Sequence, residues 1–243
     1  MQVLDLTLDS PAMNLALDEA LLDYAEQSNS VDSEVLRIWE SPSPIVVCGR
    51  SSRVEEEVFR EVCHGDGVPV LRRCSGGATI VAGPGCLMYS LVISHERRPG
   101  LQMIEQAHQF VLGALVDSLR HHGHEVTLAG ISDLVMGPEP RKKCSGNSLR
   151  LRRTHLLYHG TLLYDFHLEW ISRYLAAPPR EPDYRGRRDH ASFVANLPIT
   201  QDEMRAAVLD AWPTTGARTS WPEDLTQQLV MQRYTQDAWN LAR

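Results

Sequence analysis

RRCSGGATIVAGPG, residues 72–85 of this 243-residue chain, is the stretch from which a fold and a ligand site are first predicted. Two arginines lead from a predicted strand into Ser75–Ala78, where small residues let backbone amides approach an anion closely. Arg72 and Arg73 add fixed positive charge with the bidentate geometry that suits phosphate or carboxylate. The spacing matches neither a dinucleotide-binding glycine motif nor a P-loop. The residues alone predict either an anion-binding loop or a glycine hairpin with exposed arginines.

A second motif, KKCSGNS at residues 142–148, holds the only two lysines among 24 basic residues. The ordinary interpretation of Lys142 and Lys143 is a solvated basic turn. If the motif forms a strand, Lys143 and Cys144 point to opposite faces. Lys143 could then balance negative charge on a transferring group, a task for which a compact ammonium is not equivalent to a guanidinium. Cys144 is more typical of a small buried hydrophobic residue than of a nucleophile.

A third motif, HGTLLYDF at residues 159–166, is a strand with a polar start. His159 is either a general base or, more commonly, a hydrogen-bonded structural histidine. Spacing alone supports no Ser-His-Asp set, no catalytic carboxylate pair and no His-Glu-x-x-His zinc motif. Residue chemistry alone therefore predicts one or two anion-binding loops and does not identify a reaction.

The composition is that of an ordinary packed protein, with 43% hydrophobic and 23% charged residues. A net charge of −7 argues against a general nucleic-acid or membrane-surface binder. No apolar run suits a transmembrane helix and the N-terminus lacks a signal-peptide pattern, so we expect a cytoplasmic protein. The five cysteines are odd in number and form no Cys-x-x-Cys pair, which indicates neither a disulfide framework nor a zinc site.

Hydrophobic periodicity predicts strands with helices interspersed and no regular βαβ repeat. A first helix starts near Pro11, with Asp18 and Glu19 on its polar face. Other predicted helices lie at 55–63, 102–122, 167–175, 199–212 (capped by Thr200 with Glu203) and 222–234 (Pro222 in the first turn). Strands are predicted at 35–40, 44–49, 68–73, 79–83, 86–94, 125–128, 132–136, 142–151 and 155–166. Residues 177–192 read as a long surface loop.

Four segments in this order resemble the lipoate–protein ligase A family, within the wider group of biotin and lipoate ligases and octanoyltransferases. They are MNLALDEALL (13–22) and the three motifs above, with weaker similarity in RIWE…PIVVCGR and RRDHASFVANL. The resemblance implies an α/β fold of the α+β type, with a mixed, largely antiparallel central sheet flanked by helices. We expect residues 1–243 to form a single catalytic domain.

The resemblance also implies a reaction. Enzymes of this family join lipoate or octanoate to ATP, hold the acyl-AMP, and transfer the acyl group to a lysine of a lipoyl-carrier domain. The carriers implied are the lipoyl domains of 2-oxoacid dehydrogenase E2 subunits and the glycine cleavage H protein. Many bacterial relatives carry a C-terminal accessory domain that has no counterpart here, which suggests a separate accessory-domain protein as a further partner.

Motif by motif, the resemblance assigns roles to residues of this chain. Lys143 matches the lysine that contacts the phosphate and the acyl carbonyl, and Asp133 lies where relatives place Mg²⁺ near the phosphates. The residues expected to bind substrate or nucleotide are Arg72, Arg73, Ser75, Gly76, Gly77, Ala78, Ser145, Gly146, His159 and Gly160. Two positions depart from the family pattern: Ala78 replaces a third glycine, and Ser132 stands where asparagine is common.

Three alternatives stay open at this point. An octanoyltransferase or lipoyl amidotransferase of the same fold would use a cysteine thioester, with Cys144 or Cys74 as the nucleophile. However, cysteine nucleophiles in such relatives lie elsewhere in the chain, which favours the ligase. A non-catalytic scaffold for a lipoyl domain is disfavoured by the retention of Lys143. Biotin as the substrate is disfavoured because the paired Arg-Arg-x-Ser-Gly-Gly and Lys-x-Ser-Gly motifs fit lipoate relatives better.

Overall fold

Two sheets organise the chain, which we describe from a computed structural model over residues 1–28 and 33–242. The strands are β1 (Gln2–Asp5), β2 (Val35–Trp39), β3 (Ile45–Cys48), β4 (Val70–Arg72), β5 (Ile80–Ala82), β6 (Cys86–Ser94), β7 (Val126–Ala129), β8 (Asp133–Met136), β9 (Lys142–Leu151) and β10 (His155–Leu163). Seven of them form the large sheet in the order β1-β2-β6-β10-β9-β8-β7, and β4-β3-β5 form the small one. Neighbours in the large sheet are antiparallel except for β1 and β2.

Helices cover the large sheet on both faces. They are α1 (Pro11–Ser28), α2 (Val54–Glu57), α3 (Arg60–Gly65), α4 (Ile104–His121), α5 (Glu169–Tyr174), α6 (His190–Phe193), α7 (Gln201–Asp210), α8 (Glu223–Leu229) and α9 (Asp237–Asn240), with a π-helical segment at Val230–Tyr234. The predicted fold class, a mixed and mostly antiparallel sheet flanked by helices, is confirmed. In the described ranges, no helix is both long and apolar enough to cross a membrane.

The central strands β6 and β10 are buried along their whole length, because both of their faces are covered. On β10, Tyr158 and Leu162 pack into the cluster that contains α4 and α7. Leu157 and Leu163 face the other side, in the clusters that contain α1. Because strand side chains alternate, His159 also faces the α1 side. The strand thus separates a purely structural core from the layer in which polar groups gather.

Most predicted elements form, and the capping box of Thr200 and Glu203 at the start of α7 is confirmed. The predicted helix at 55–63 is instead split into α2 and α3. Val58 between them is extended and pairs with Leu175, which interrupts the helical hydrogen bonding. The surface loop expected at 177–192 is only partly right: it contains a 3-10 turn at Asp183–Arg185 and the short helix α6.

Asp18 and Glu19 correct the prediction of a polar face on α1, because both carboxylates are buried. Arg37 of β2 forms an ion pair with Asp18, at 2.6 Å. Glu19 pairs with Arg233 and accepts a hydrogen bond from the Tyr234 hydroxyl at 2.7 Å. The C-terminal segment therefore covers Glu19, whereas Asp18 faces the large sheet.

Candidate functional site

A cavity of about 710 Å³ lies between the two sheets, beside the glycine loop. One part of its wall is apolar and comes from α1, β3, β5 and β6. These lining residues are Leu15, Val47, Ile80 and Met88. The rest of the lining is mostly polar, and comes from the glycine loop, from the turn before β8, from β8, β9 and β10, and from residues 180–184. A site of this kind suits a ligand with an apolar tail and a charged head.

Lys143 reaches the polar wall because strand β9 contains a bulge. Leu134 pairs with Ser145 but Val135 pairs with Lys143, so Cys144 is the extra residue on β9. The bulge reverses the alternation, and Lys143 therefore lies on the same face as Gly146. A Cβ atom on Gly146 would come within 3.0 Å of the Lys143 Nζ atom. The absence of a side chain at Gly146 leaves the space that the ammonium occupies.

The Lys143 ammonium is held by Asp133 across the strand pair. Its Nζ atom lies 2.8 Å from Asp133 Oδ1, and the other carboxylate oxygen accepts a hydrogen bond from the Tyr184 hydroxyl at 2.7 Å. Burial, followed by the nearby Asp133 charge, raises the pKa of Tyr184, so that this phenol is a stable donor. All three side chains line the cavity. Sequence patterns predicted two of them and missed Tyr184, which lies in the presumed surface loop.

The glycine loop is organised by Arg73. Its guanidinium donates to the carbonyls of Val47, Gly76 and Ala78. Gly77 has φ +88°, a left-handed conformation that lets the loop curl over the arginine. Burial lowers the pKa of Arg73 to about 10. Arg73 lines the cavity, and its donors hold the loop in shape. Its role in binding substrate or nucleotide stays a prediction.

Arg72 does not line the cavity, contrary to the sequence prediction. Its guanidinium points behind the loop and donates to the backbone carbonyls of Gly49 at 2.7 Å and Ser52 at 2.9 Å. It also donates to the carbonyl of Trp239 at 2.9 Å and to that of Ala242. The C-terminal residues that accept these bonds are distant in sequence, so the motif alone gave no sign of them. Arg72 thus fixes the end of β4.

A buried hydrogen-bond chain connects α1 with the glycine loop. Asp18 accepts from Arg37 and from Ser90, and its second oxygen lies 3.4 Å from His159 Nδ1. The His159 Nε2 atom lies 2.5 Å from the Ser75 hydroxyl oxygen. Burial alone would raise the pKa of Asp18, but the Arg37 charge and the bond to His159 lower it more, so the net pKa is below its usual value. The Ser75–His159–Asp18 arrangement was not predicted from spacing.

The two candidate cysteine nucleophiles lie outside the cavity wall. Cys144, the bulged residue, packs in the core with α4, which confirms that it and Lys143 face opposite sides. Burial raises the pKa of the Cys144 thiol to about 12 and raises that of Cys74 well above its usual value. Burial thus disfavours the thiolate form that a cysteine nucleophile needs.

The predicted site residues thus divide into two groups. Those that line the cavity are Arg73, Gly77, Ala78, Asp133, Lys143, Gly146, His159 and Gly160. Those outside its lining are Arg72, Cys74, Ser75, Gly76, Cys144 and Ser145. Gly160 is required by packing, because a Cβ atom there would overlap the Asn147 side chain at 1.7 Å. Asn147 also lines the cavity and was not singled out from sequence.

Gly49 supports the glycine loop at its back, and we expect its replacement to be costly. A Cβ atom at this position would lie 1.9 Å from the backbone oxygen of Gly77, which cannot rotate away. Gly49→Ala should lower the free energy of unfolding by about 1–3 kcal/mol, the usual cost of overpacking. Urea unfolding measures this. Gly113→Ala is the control, since nothing lies near that helical position, and a gain of about 1 kcal/mol is expected there. Equal midpoints for the two variants would contradict the prediction.

Comparison with known proteins identifies the family. The model of the lipoyl protein ligase A/B catalytic domain matches residues 10–212. The chain belongs to this family. A proposed lipoate-protein ligase A from Aeropyrum pernix is 35% identical over 161 residues, which is 66% of this chain and 56% of the relative. A proposed lipoate-protein ligase A from Schizosaccharomyces pombe is 27% identical over 203 residues, which is 84% of this chain and 52% of the relative. The chain thus spans about half the length of these curated relatives.

Solved structures agree with this lipoyl ligase fold. One contains a bipartite lipoate protein ligase and its E2 lipoyl domain from Thermoplasma acidophilum. It matches with a TM-score of 0.83 and 25% identity, over 100% of this chain and 97% of that chain. A second, lipoate-protein ligase A bound with ATP, matches with a TM-score of 0.76 and 26% identity, over 99% and 98% of the two chains. The α+β architecture of this family member is therefore shared along nearly its whole length.

Proposed function

We propose that this chain is a lipoate–protein ligase that activates lipoate or octanoate with ATP and transfers the acyl group to a lysine of a lipoyl-carrier domain. The observation that carries the proposal is the position of Lys143. Its ammonium lies in the polar part of a cavity whose lining also has an apolar part, next to the glycine loop. An acyl chain fits the apolar part, and its carboxylate then meets the only lysine of the wall.

Each half-reaction needs what this wall provides. In the first, a carboxylate oxygen of the acid bonds to the α-phosphorus of ATP, and the bond to pyrophosphate breaks. Negative charge builds up on the oxygens around the α-phosphorus, and a fixed ammonium next to them lowers the barrier. In the second, the amine of the carrier lysine attacks the acyl carbonyl, AMP leaves, and the amine loses a proton. Lys143 would stabilise the charge in both steps, with Asp133 fixing its direction.

The substrates are supported by the solved relatives. The ligase with bound ATP matches this chain at 26% identity over 99% of its length, which supports ATP as the nucleotide. The Thermoplasma acidophilum structure includes an E2 lipoyl domain, which supports such domains as acyl acceptors here. That ligase is bipartite, which supports a separate accessory-domain protein as a partner. The glycine cleavage H protein, the cytoplasmic location and the single domain over residues 1–243 stay predictions from the sequence.

Magnesium fits this site only together with a nucleotide. In the described part of the chain, no cluster of three or more His, Cys, Asp or Glu side chains is arranged to hold a metal ion. Mg²⁺ is commonly held by one or two carboxylates plus phosphate oxygens and water, and Asp133 could supply one carboxylate. When bound there, the ion would neutralise phosphate charge next to Lys143.

The test follows the mass of an apo lipoyl domain incubated with this protein. We expect a gain of one lipoyl or octanoyl group with ATP present and none without it. A gain without ATP, from octanoyl acyl carrier protein, would indicate the transferase instead. No gain in the presence of an accessory-domain protein, under either condition, would contradict both reactions and leave a binding scaffold.

The thiols provide an independent prediction. We expect Cys144→Ala and Cys74→Ala to retain the ATP-dependent rate within about twofold, because both thiols lie outside the cavity wall and burial raises their pKa values. Each variant is assayed for acylation of the lipoyl domain, with its thermal midpoint measured alongside to separate folding from chemistry. A loss of about 10³-fold in a folded variant, as expected for a missing nucleophile, would overturn the ligase proposal.

A further inference from the structure

Residues 180–184 form the outer wall of the cavity, and Tyr184 is the residue that attaches this segment to the sheet. Its hydroxyl donates to Asp133 Oδ2 at 2.7 Å. Its ring packs on Phe193 of α6, with 5.3 Å between centroids. The guanidinium of Arg185 lies over the Phe193 ring, 4.7 Å from its centroid. The segment is thus held by an aromatic contact at one point and by a carboxylate at another.

Asp133 is the connection between this segment and Lys143. One carboxylate oxygen binds the Lys143 ammonium and the other binds the Tyr184 hydroxyl, so both oxygens are engaged. Lys143 has a flexible four-carbon stem, and its direction depends on what its ammonium contacts. Asp133 can in turn rotate unless its second oxygen is fixed. The Tyr184 hydroxyl is the described group that fixes it.

We propose that Tyr184 is a positioning residue, which fixes Asp133 and thereby directs the Lys143 ammonium into the cavity when residues 180–184 are in place. The consequence for catalysis rests on the ligase function proposed above. In that reaction, the hydrogen bond links the outer wall to the position of the charge that stabilises the transition state. Tyr184 itself touches neither phosphate nor acyl group in this role.

A purely structural role of Tyr184 would depend on the packing of its ring, whereas the positioning role depends on its hydroxyl. Tyr184→Phe retains the ring and its packing on Phe193, and removes only the bond to Asp133. A matched control exists in Tyr164→Phe. The Tyr164 hydroxyl also donates to a carboxylate, that of Glu40, at 2.8 Å, and neither residue lines the cavity. Both variants lose a hydrogen bond from a phenol to a carboxylate. Only the carboxylate of Asp133, the acceptor for Tyr184, also contacts Lys143.

The first test measures pyrophosphate release from ATP with lipoate as the acid. We expect Tyr184→Phe to lower kcat about tenfold, as loss of a hydrogen bond to a charged group allows, with KM for both substrates within twofold. Tyr164→Phe should match the wild type. In an Asp133→Ala background, adding Tyr184→Phe should cause no further loss, because the connection is already absent. A change in KM alone, or full activity of Tyr184→Phe, overturns the proposal.

The second test does not depend on activity. The chain has only two lysines, so limiting acetic anhydride labels Lys142 and Lys143 in competition, and peptide fragmentation gives their ratio. We expect the share of label on Lys143 to rise in Tyr184→Phe and to stay constant in Tyr164→Phe. An unchanged share overturns the positioning role even in an active enzyme. A raised share in a protein that releases no pyrophosphate supports the positioning role and contradicts the proposed ligase.

Discussion

Lys143→Met is expected to lower the rate of acyl-AMP formation by about 10²–10³-fold, the usual cost of removing one charge-stabilising donor. Methionine fills the space beside Gly146 but has no positive charge to stabilise the oxygens of the α-phosphate. The reason lies in the geometry, since the ammonium lies in the cavity wall and is fixed by Asp133 at 2.8 Å. Pyrophosphate release with lipoate and ATP measures the effect.

Lys142→Met is the matched control for this experiment. The two lysines are adjacent on β9, but Lys142 is exposed to solvent and does not line the cavity, so its loss should leave the rate unchanged. Lys143→Arg should not restore activity, because the larger planar guanidinium does not fit the space against Gly146. Equal rates for Lys142→Met and Lys143→Met would remove the central support for the proposed ligase.

The largest expected loss of stability is in Asp18→Asn, at about 3–5 kcal/mol of unfolding free energy, the cost of leaving one buried charge without its partner. Arg37 is fully buried, and Asp18 is its only carboxylate partner in the described residues. Asparagine keeps the shape but leaves the guanidinium with backbone and amide oxygens alone. Urea unfolding at neutral pH measures the loss. The exposed Arg53–Glu56 pair is the control, and Glu56→Gln should not shift the midpoint.

The pH dependence of that difference follows from the lowered pKa of Asp18. Arg37 and His159 hold the folded-state pKa below the unfolded value of about 3.9. The contribution of the Asp18 carboxylate is therefore present above the unfolded value and is lost as the pH falls through the folded one. Asp18→Asn and the wild type should converge in strongly acidic solution. A difference that stays constant down to that range would contradict the assigned ion pair.

Local motifs predicted those parts of the cavity wall that are formed by residues close together in the sequence. The three motifs around Arg73, Lys143 and His159 do meet at one cavity, and the strand pattern placed Lys143 and Cys144 on opposite faces. The β-bulge was not visible in the sequence, because a register shift depends on how β8 and β9 pair. Periodicity alone also did not give β1 or α9.

The features that the sequence did not predict depend on contacts between residues that are distant along the chain. Asp18 was assigned to a polar face because helix periodicity does not show that Arg37 and His159 lie against it. Arg72 was assigned to the ligand because the motif does not show its acceptors, some of which, such as Trp239, are more than 160 residues away. Tyr184 lies in a segment without periodicity, where an aromatic residue gave no signal of a contact with Asp133.

The extra residue in β9, Cys144, determines the register in which this strand pairs with β8. Side chains exchange faces when a strand shifts by one position. Removal of the bulge would therefore turn the Lys143 ammonium into the apolar core and expose the Cys144 sulfur atom to the cavity. Burying an unpaired cation there is strongly unfavourable, so the irregular pairing is the arrangement that the lysine itself enforces. A single backbone irregularity thus selects which of two chemically different groups, an amine or a thiol, meets the ligand.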